Sequence, residues 1–260
     1  MEKKLTNNYK KSALKKIFLF VFATLFFFSC KKSNNSAPGT LPGSYSNQAL
    51  GASAHDMLSG AKYTAIHIEV QYMPGYQLDP TAITNVTNYL ETLCNKPNGV
   101  TISQTQIAAN GDTLNVSQVA VIEAQNRTAY TSGATLALYV LVTDGYDTSL
   151  NVLGFAFRNT SICLFGKDMF DHSGGVGEVT RISIESSVLE HELGHIMGLV
   201  NLGTPMVIDH QDVANGNHCI NPNCLMYYAT ETHKSLVGFT NAVPVLDSNC
   251  RNDLHAYGGK

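Results

Sequence analysis

Residues 191–198 read His-Glu-Leu-Gly-His-Ile-Met-Gly, and this octapeptide limits the possible folds of the chain more than any other stretch. The segment around it is apolar, with Ile182, Ile184, Val188, Leu189, Leu193, Ile196 and Met197 at helical spacing. A helix this apolar packs inside a domain, and it takes the polar stripe His191, Glu192, His195 inside with it. Buried without partners, those three side chains would oppose folding. At about 100° per residue, positions four apart lie on one face, one turn from each other. Two imidazoles so placed can each reach a single zinc ion at roughly 2.0–2.1 Å, which resolves the burial problem. Glu192 starts about 100° round the helix, and its longer side chain can reach a water on the same ion. There it would serve as general base while the metal lowers that water's pKa.

The N-terminus indicates where such a protein works. Lys3, Lys4, Lys10, Lys11, Lys15 and Lys16 precede an apolar run from Ile17 to Phe28, followed by Ser29-Cys30. A basic start, about a dozen apolar residues and a small residue before the cut predict a signal peptide over 1–29, too short to span a bilayer. The ending Phe27-Phe28-Ser29-Cys30 resembles a bacterial lipobox, which implies that Cys30 is lipidated and begins the mature chain. Lys31 and Lys32 resemble export signals of some Gram-negative surface lipoproteins. These resemblances imply an exported protein, lipid-anchored to the membrane of a Gram-negative bacterium, at the outer membrane or cell surface.

Residues 30–54 are rich in Ser, Asn, Gly and Pro and read as a flexible tether. Residues 55–260 suffice for one domain, with an N-terminal subdomain 55–198 and a loop-rich C-terminal subdomain 199–260. The net charge is −3, only 14% of residues are charged, and the lysines cluster in the signal segment. No basic patch remains to bind nucleic acid.

Alternation and β-forming residues predict strands over 63–72 and 100–108. Ile83, Val86, Leu90 and Leu93 predict a helix over 80–93, with Asp79 as cap and Pro80 in its first turn. A second helix is predicted over 117–130. The run Leu136 to Thr143 fits a central strand buried on both faces. Two short strands, 153–157 and 161–165, should pair around Arg158-Asn159, before the long helix from about Ser183 to Met197. This α/β (α+β) order predicts a twisted mixed β-sheet with two packing helices beneath and the active-site helix closing the upper half. The glycine-rich stretch 173–177 is either a mobile loop beside the cleft or a plain connector.

The extended pattern H-E-x-x-H-x-x-G resembles the metzincin metalloproteases, in which the glycine turns the chain away and a third ligand follows three residues later. Here that position is Asn201, a poor zinc ligand, so the third ligand must come from further on. Residues 218–226, His218-Cys219 through Cys224-Leu225-Met226, resemble the archaemetzincin segment that carries the third histidine and a methionine turn, displaced by a 17-residue insertion. The resemblance implies one catalytic Zn²⁺ held by His191, His195 and His218, with Met226 packed beneath it. Tyr228 then sits where some metzincins carry a tyrosine that approaches the metal or the transition state. His210 competes as third ligand, followed by Glu231, Asp209 and Asp212.

Without Cys30 the chain has Cys94, Cys163, Cys219, Cys224 and Cys250. Export permits disulfides, and Cys219 and Cys224, in one short loop, are the expected bonded or metal-bound pair. The second zinc site of archaemetzincins uses a C-x-x-C pair. This chain has only Cys250 followed by Arg251, Asn252 and Asp253, so disulfides are the expectation in its place.

The resemblance implies a zinc endopeptidase acting on peptide or protein substrates, with the strand near 161–165 as the sheet edge that pairs with an extended substrate. A binding protein that keeps the scaffold but not turnover, recognising peptides or glycans, is the second reading. A hydrolase of non-peptide amides or esters is the third. Intact Glu192 favours an enzyme.

Overall fold

The structure is a computed structural model that describes residues 37–148, 152–232 and 242–260. The expected signal peptide and Cys30 lie outside the described residues. Among the described residues, no helix is long and apolar enough to cross a membrane.

The elements run α1 (Ala54–Leu58), β1 (Ala65–Tyr72), α2 (Pro80–Leu93), β2 (Val100–Gln106), α3 (Val116–Asn126), β3 (Thr135–Val142), β4 (Gly154–Arg158), β5 (Ser161–Leu164), α4 (Gly166–Asp171), α5 (Arg181–Ile196) and α6 (Ser248–Ala256). The five strands form one mixed sheet in the order β2-β1-β3-β5-β4. β1 pairs in parallel with β2 and β3, β3 with β5, and only β4 runs antiparallel. β3 sits at the centre, buried from Leu136 to Val142, as its continuous apolar run requires.

Alternate residues of β3 feed two separate cores. Leu136, Leu138, Val140 and Val142 pack with Val86 and Leu90 of α2 and with Ile184, Val188, Leu193 and Ile196 of α5. Tyr139 and Leu141 pack on the other side with Val119 of α3, Phe155 and Phe165. The two early helices therefore cover opposite faces, and α2 shares its face with α5, which corrects the expected layout of both beneath the sheet. The cause is topological. The chain steps outward from β1 to β2 and then back across β1 to β3, and right-handed crossovers taken in opposite directions put their helices on opposite faces.

β5 lies between β3 and β4, so the edge on that side is β4, not the strand at 161–165 expected to face substrate. Residues 37–54 also depart from the expected tether. Leu41 is buried, and Asn159 donates to Tyr45 O at 2.8 Å and to the Ser53 hydroxyl at 2.6 Å, which fastens this segment to the turn between β4 and β5. The glycine-rich stretch 173–177 links α4 to α5 as a turn, closed by Gly174 N donating to Val179 O.

Candidate metal centre

α5 starts at a Thr180 cap, whose hydroxyl accepts from Ser183 N, and is buried continuously from Ser183 to Ile196. Its polar stripe is therefore inside the protein. His191 and Glu192 are fully buried and His195 is nearly so. At Gly198 the backbone enters the left-handed region (φ 78°), and a Cβ there would lie 2.6 Å from Thr204 N. Only glycine permits the turn. Val200 (φ 47°) and Asn201 (φ 64°) are left-handed too, so three residues reverse the chain, one of them β-branched and strained. Asn201 ends exposed, donating to Gln211 Oε1 at 3.2 Å, and takes no part in the site.

The inserted segment returns in register with the residues it delivers. Ile220 N donates to His210 O and Asp212 N to His218 O, at 2.9 and 2.7 Å. This ladder brings His218 against the two helix histidines. The His191–His195, His191–His218 and His195–His218 ring centroids are 4.8, 5.2 and 5.1 Å apart. His210 is not among them. It forms a buried pair with Asp253 at 2.8 Å, and Asp209 and Asp212 accept from local backbone amides.

Two of the rings are oriented from behind. His191 Nδ1 donates to Leu225 O at 2.7 Å and His218 Nδ1 to Asn215 O at 2.6 Å, which leaves the Nε2 atoms as lone-pair donors. Those two Nε2 atoms, His195 Nδ1 and Glu192 Oε1 are buried without a hydrogen-bond partner. Such orphans are costly, and a cation among them would remove the cost. Burial holds His191 down at about 4 and His195 well below the usual histidine range, so both are neutral and ready to ligate. The donor set fits zinc.

Glu192 Oε2 accepts from the backbone N–H of Ala156 on β4 at 2.7 Å. Burial, reinforced by the charge of Glu231, pushes its carboxyl well above the ordinary carboxylate range. Glu231 itself, a weaker expectation as third ligand, joins the three histidines, and one ligand atom from each of the four residues lies within 4.8 Å of the others. Burial also opposes charge on His218, but Glu231 outweighs it and raises the histidine. Tyr228 opens the short 3-10 turn that carries Glu231, and its ring meets that of Tyr227 at 4.7 Å.

A second cluster lies apart from these residues. All five described cysteines are free thiols, which overturns the disulfide expectation. Cys219, Cys224 and Cys250 converge with Asp247, their ligand atoms within 4.8 Å of one another, and Cys224 and Cys250 Sγ are 3.6 Å apart. Hydrogen bonds from the Cys219 and Cys250 thiols hold Cys224 down at about 4, a thiolate. His210 Nδ1 is 4.0 Å from Cys250 Sγ, while its Nε2 is held by Asp253. Cys219 and Cys224 are the pair expected to be bonded or metal-bound, and Cys250 joins them from the first turn of α6 with its cap Asp247.

No family model matches the chain, and no curated protein matches it. Among solved structures, the archaemetzincin of Methanopyrus kandleri is similar at a TM-score of 0.48, with 14% identity over 76% of this chain and 96% of that one.

Proposed function

We propose that the chain is a zinc-dependent endopeptidase with one catalytic ion, held by His191, His195 and His218. The observation that carries this reading is the convergence of three buried imidazoles, each with an orphaned nitrogen, beside an orphaned carboxylate oxygen of Glu192. Zinc bound there would polarise a scissile carbonyl and lower the pKa of a water. Glu192 takes a proton from that water through Oε1 and later passes it to the leaving amine, while Ala156 N–H steadies Oε2. Leu225 O and Asn215 O keep the His191 and His218 tautomers fixed through the cycle. β4 is the outermost strand on its side of the sheet, where an extended peptide would pair, next to the base to which its Ala156 N–H donates. Tyr228 is assigned to the developing oxyanion. The thiol cluster reads as a second, structural zinc site, and Cys30 as the lipid anchor of an exported protein.

The test is Glu192→Gln with a peptide library. Hydrolysis should fall by about 10²–10⁴-fold with zinc content unchanged. Undiminished hydrolysis would remove Glu192 as the base, and absence of hydrolysis in the zinc-loaded wild type would favour a binding protein on this scaffold.

A further inference from the structure

Glu231 sits against two of the three histidines. Its Oε1 lies 3.4 Å from His218 Nε2 and its Oε2 lies 3.7 Å from His191 Nε2. A tight charge-assisted bond between a carboxylate and an imidazolium is roughly 2.7–2.9 Å, so Glu231 sits further than that from both rings and straddles them. Ligand atoms placed roughly 2.0–2.1 Å from a tetrahedral zinc lie about 3.4 Å from each other. The separations of 3.4 and 3.7 Å are near that spacing.

The backbone supports this placement. Leu153 N donates to Glu231 O at 2.7 Å, and Val152 forms a bridge with Thr232. Glu231 is thus stitched to the residues that lead into β4, the strand whose Ala156 N–H holds Glu192. Substrate pairing with the β4 edge would act on the same piece of backbone that carries the carboxylate.

We propose that Glu231 is a fourth, displaceable protein ligand, so that the free protein rests in a closed His₃Glu form that substrate must open. This rests on the zinc reading above and adds a resting state to it. A site with four protein ligands has no open position for water, whereas a hydrolytic site keeps one. Exchange of Glu231 for a peptide carbonyl or water converts the first kind into the second.

The test uses the purified protein, stripped of metal and reloaded with zinc or with cobalt(II) as a spectroscopic probe. Wild type should show the intense visible bands of four-coordinate cobalt, and a peptide substrate added in the Glu192→Gln background should change them. Glu231→Gln and Glu231→Asp should both alter the bands and weaken zinc binding at least about 10-fold in competition with a chromophoric chelator. Glu192→Gln alone, which removes a neighbouring charge, should leave both readouts as in wild type. Glu231→Asp keeps the charge but shortens the arm, so its loss of affinity marks ligation as opposed to field strength. Circular dichroism of the metal-free variants should match wild type, and Glu231→Asp serves if Glu231→Gln fails to fold. Wild-type bands and affinity in a folded Glu231 variant would overturn the inference and leave the zinc reading standing. Failure of wild type to bind either metal would overturn both.

Discussion

The sulfur of Met226 fills the space that a side chain on residue 194 would need. A Cβ on Gly194 would lie 2.3 Å from Met226 Sδ, so the glycine inside the His-Glu-Leu-Gly-His stretch is required by the methionine beneath it. The neighbour of that methionine, Leu225, supplies the carbonyl that orients His191. Gly194→Ala should therefore cost about 1–3 kcal/mol in urea unfolding and also weaken zinc binding. In the Gly194→Ala/Met226→Ala double variant the combined cost should fall short of the sum by about 1 kcal/mol or more. Strict additivity would mean that the two residues do not compete for the same space.

His218 and His210 lie in different places, His218 against the helix histidines and His210 on Asp253, and the proposed function gives them different roles. His218→Ala should cut hydrolysis and weaken zinc binding at least about 10-fold, because the site loses one of its three imidazoles. His210→Gln should keep hydrolysis and lower thermal stability, because His210 pairs with Asp253 and faces the thiol cluster. The reverse pattern, by activity and zinc content, would exchange their roles.

The thiol cluster gives a stoichiometry. Protein purified with zinc should carry two ions per chain, and Cys250→Ser should carry one while keeping hydrolysis. Loss of about 3 kcal/mol with the structural ion would lower Tm by roughly 6–12 °C. One ion per chain in wild type, with Cys219, Cys224 and Cys250 freely reactive, would rule out the second site.

Glu190 gives a pH dependence. It is buried beside His191, and burial pushes its carboxyl up from 4.5 to about 8. Its folded pKa is raised above the unfolded value, so its stabilising contribution is fully present below the unfolded pKa and is lost as pH rises through about 8. Glu190→Gln should match wild type near pH 4.5 and gain on it steadily toward pH 8, by about 1.4 kcal/mol per pH unit at most. Thermal melts across that range check it, and a constant difference would mean that Glu190 ionises freely in the fold.

The features legible from sequence were those carried by local pattern. Asp79-Pro80 and the Ile83, Val86, Leu90 spacing marked α2 at both ends, and the apolar run at 136–142 marked the central strand. The helix histidines followed from spacing. His218 came from the resemblance of residues 218–226 to the archaemetzincin segment, with His210 left open beside it. The side of the sheet that α3 covers was not legible, since it depends on the direction in which the chain crosses β1. Nor was α6, where only Cys250, Asp253 and Leu254 are buried and the Asp247 cap starts the helix. Residues 37–54 looked like a tether because their composition is polar, and their anchors, Asn159 among them, lie about a hundred residues away. Glu231 had no motif of its own, and only the return of the chain past β4 brings it to the histidines.

Anomalous diffraction at the zinc edge, from crystals grown with the metal, tests the central claim most directly. A strong peak should lie among His191 Nε2, His195 and His218 Nε2, within bonding reach of all three. A flat map there, or a peak at the thiol cluster alone, would contradict the assignment of a catalytic zinc to these histidines.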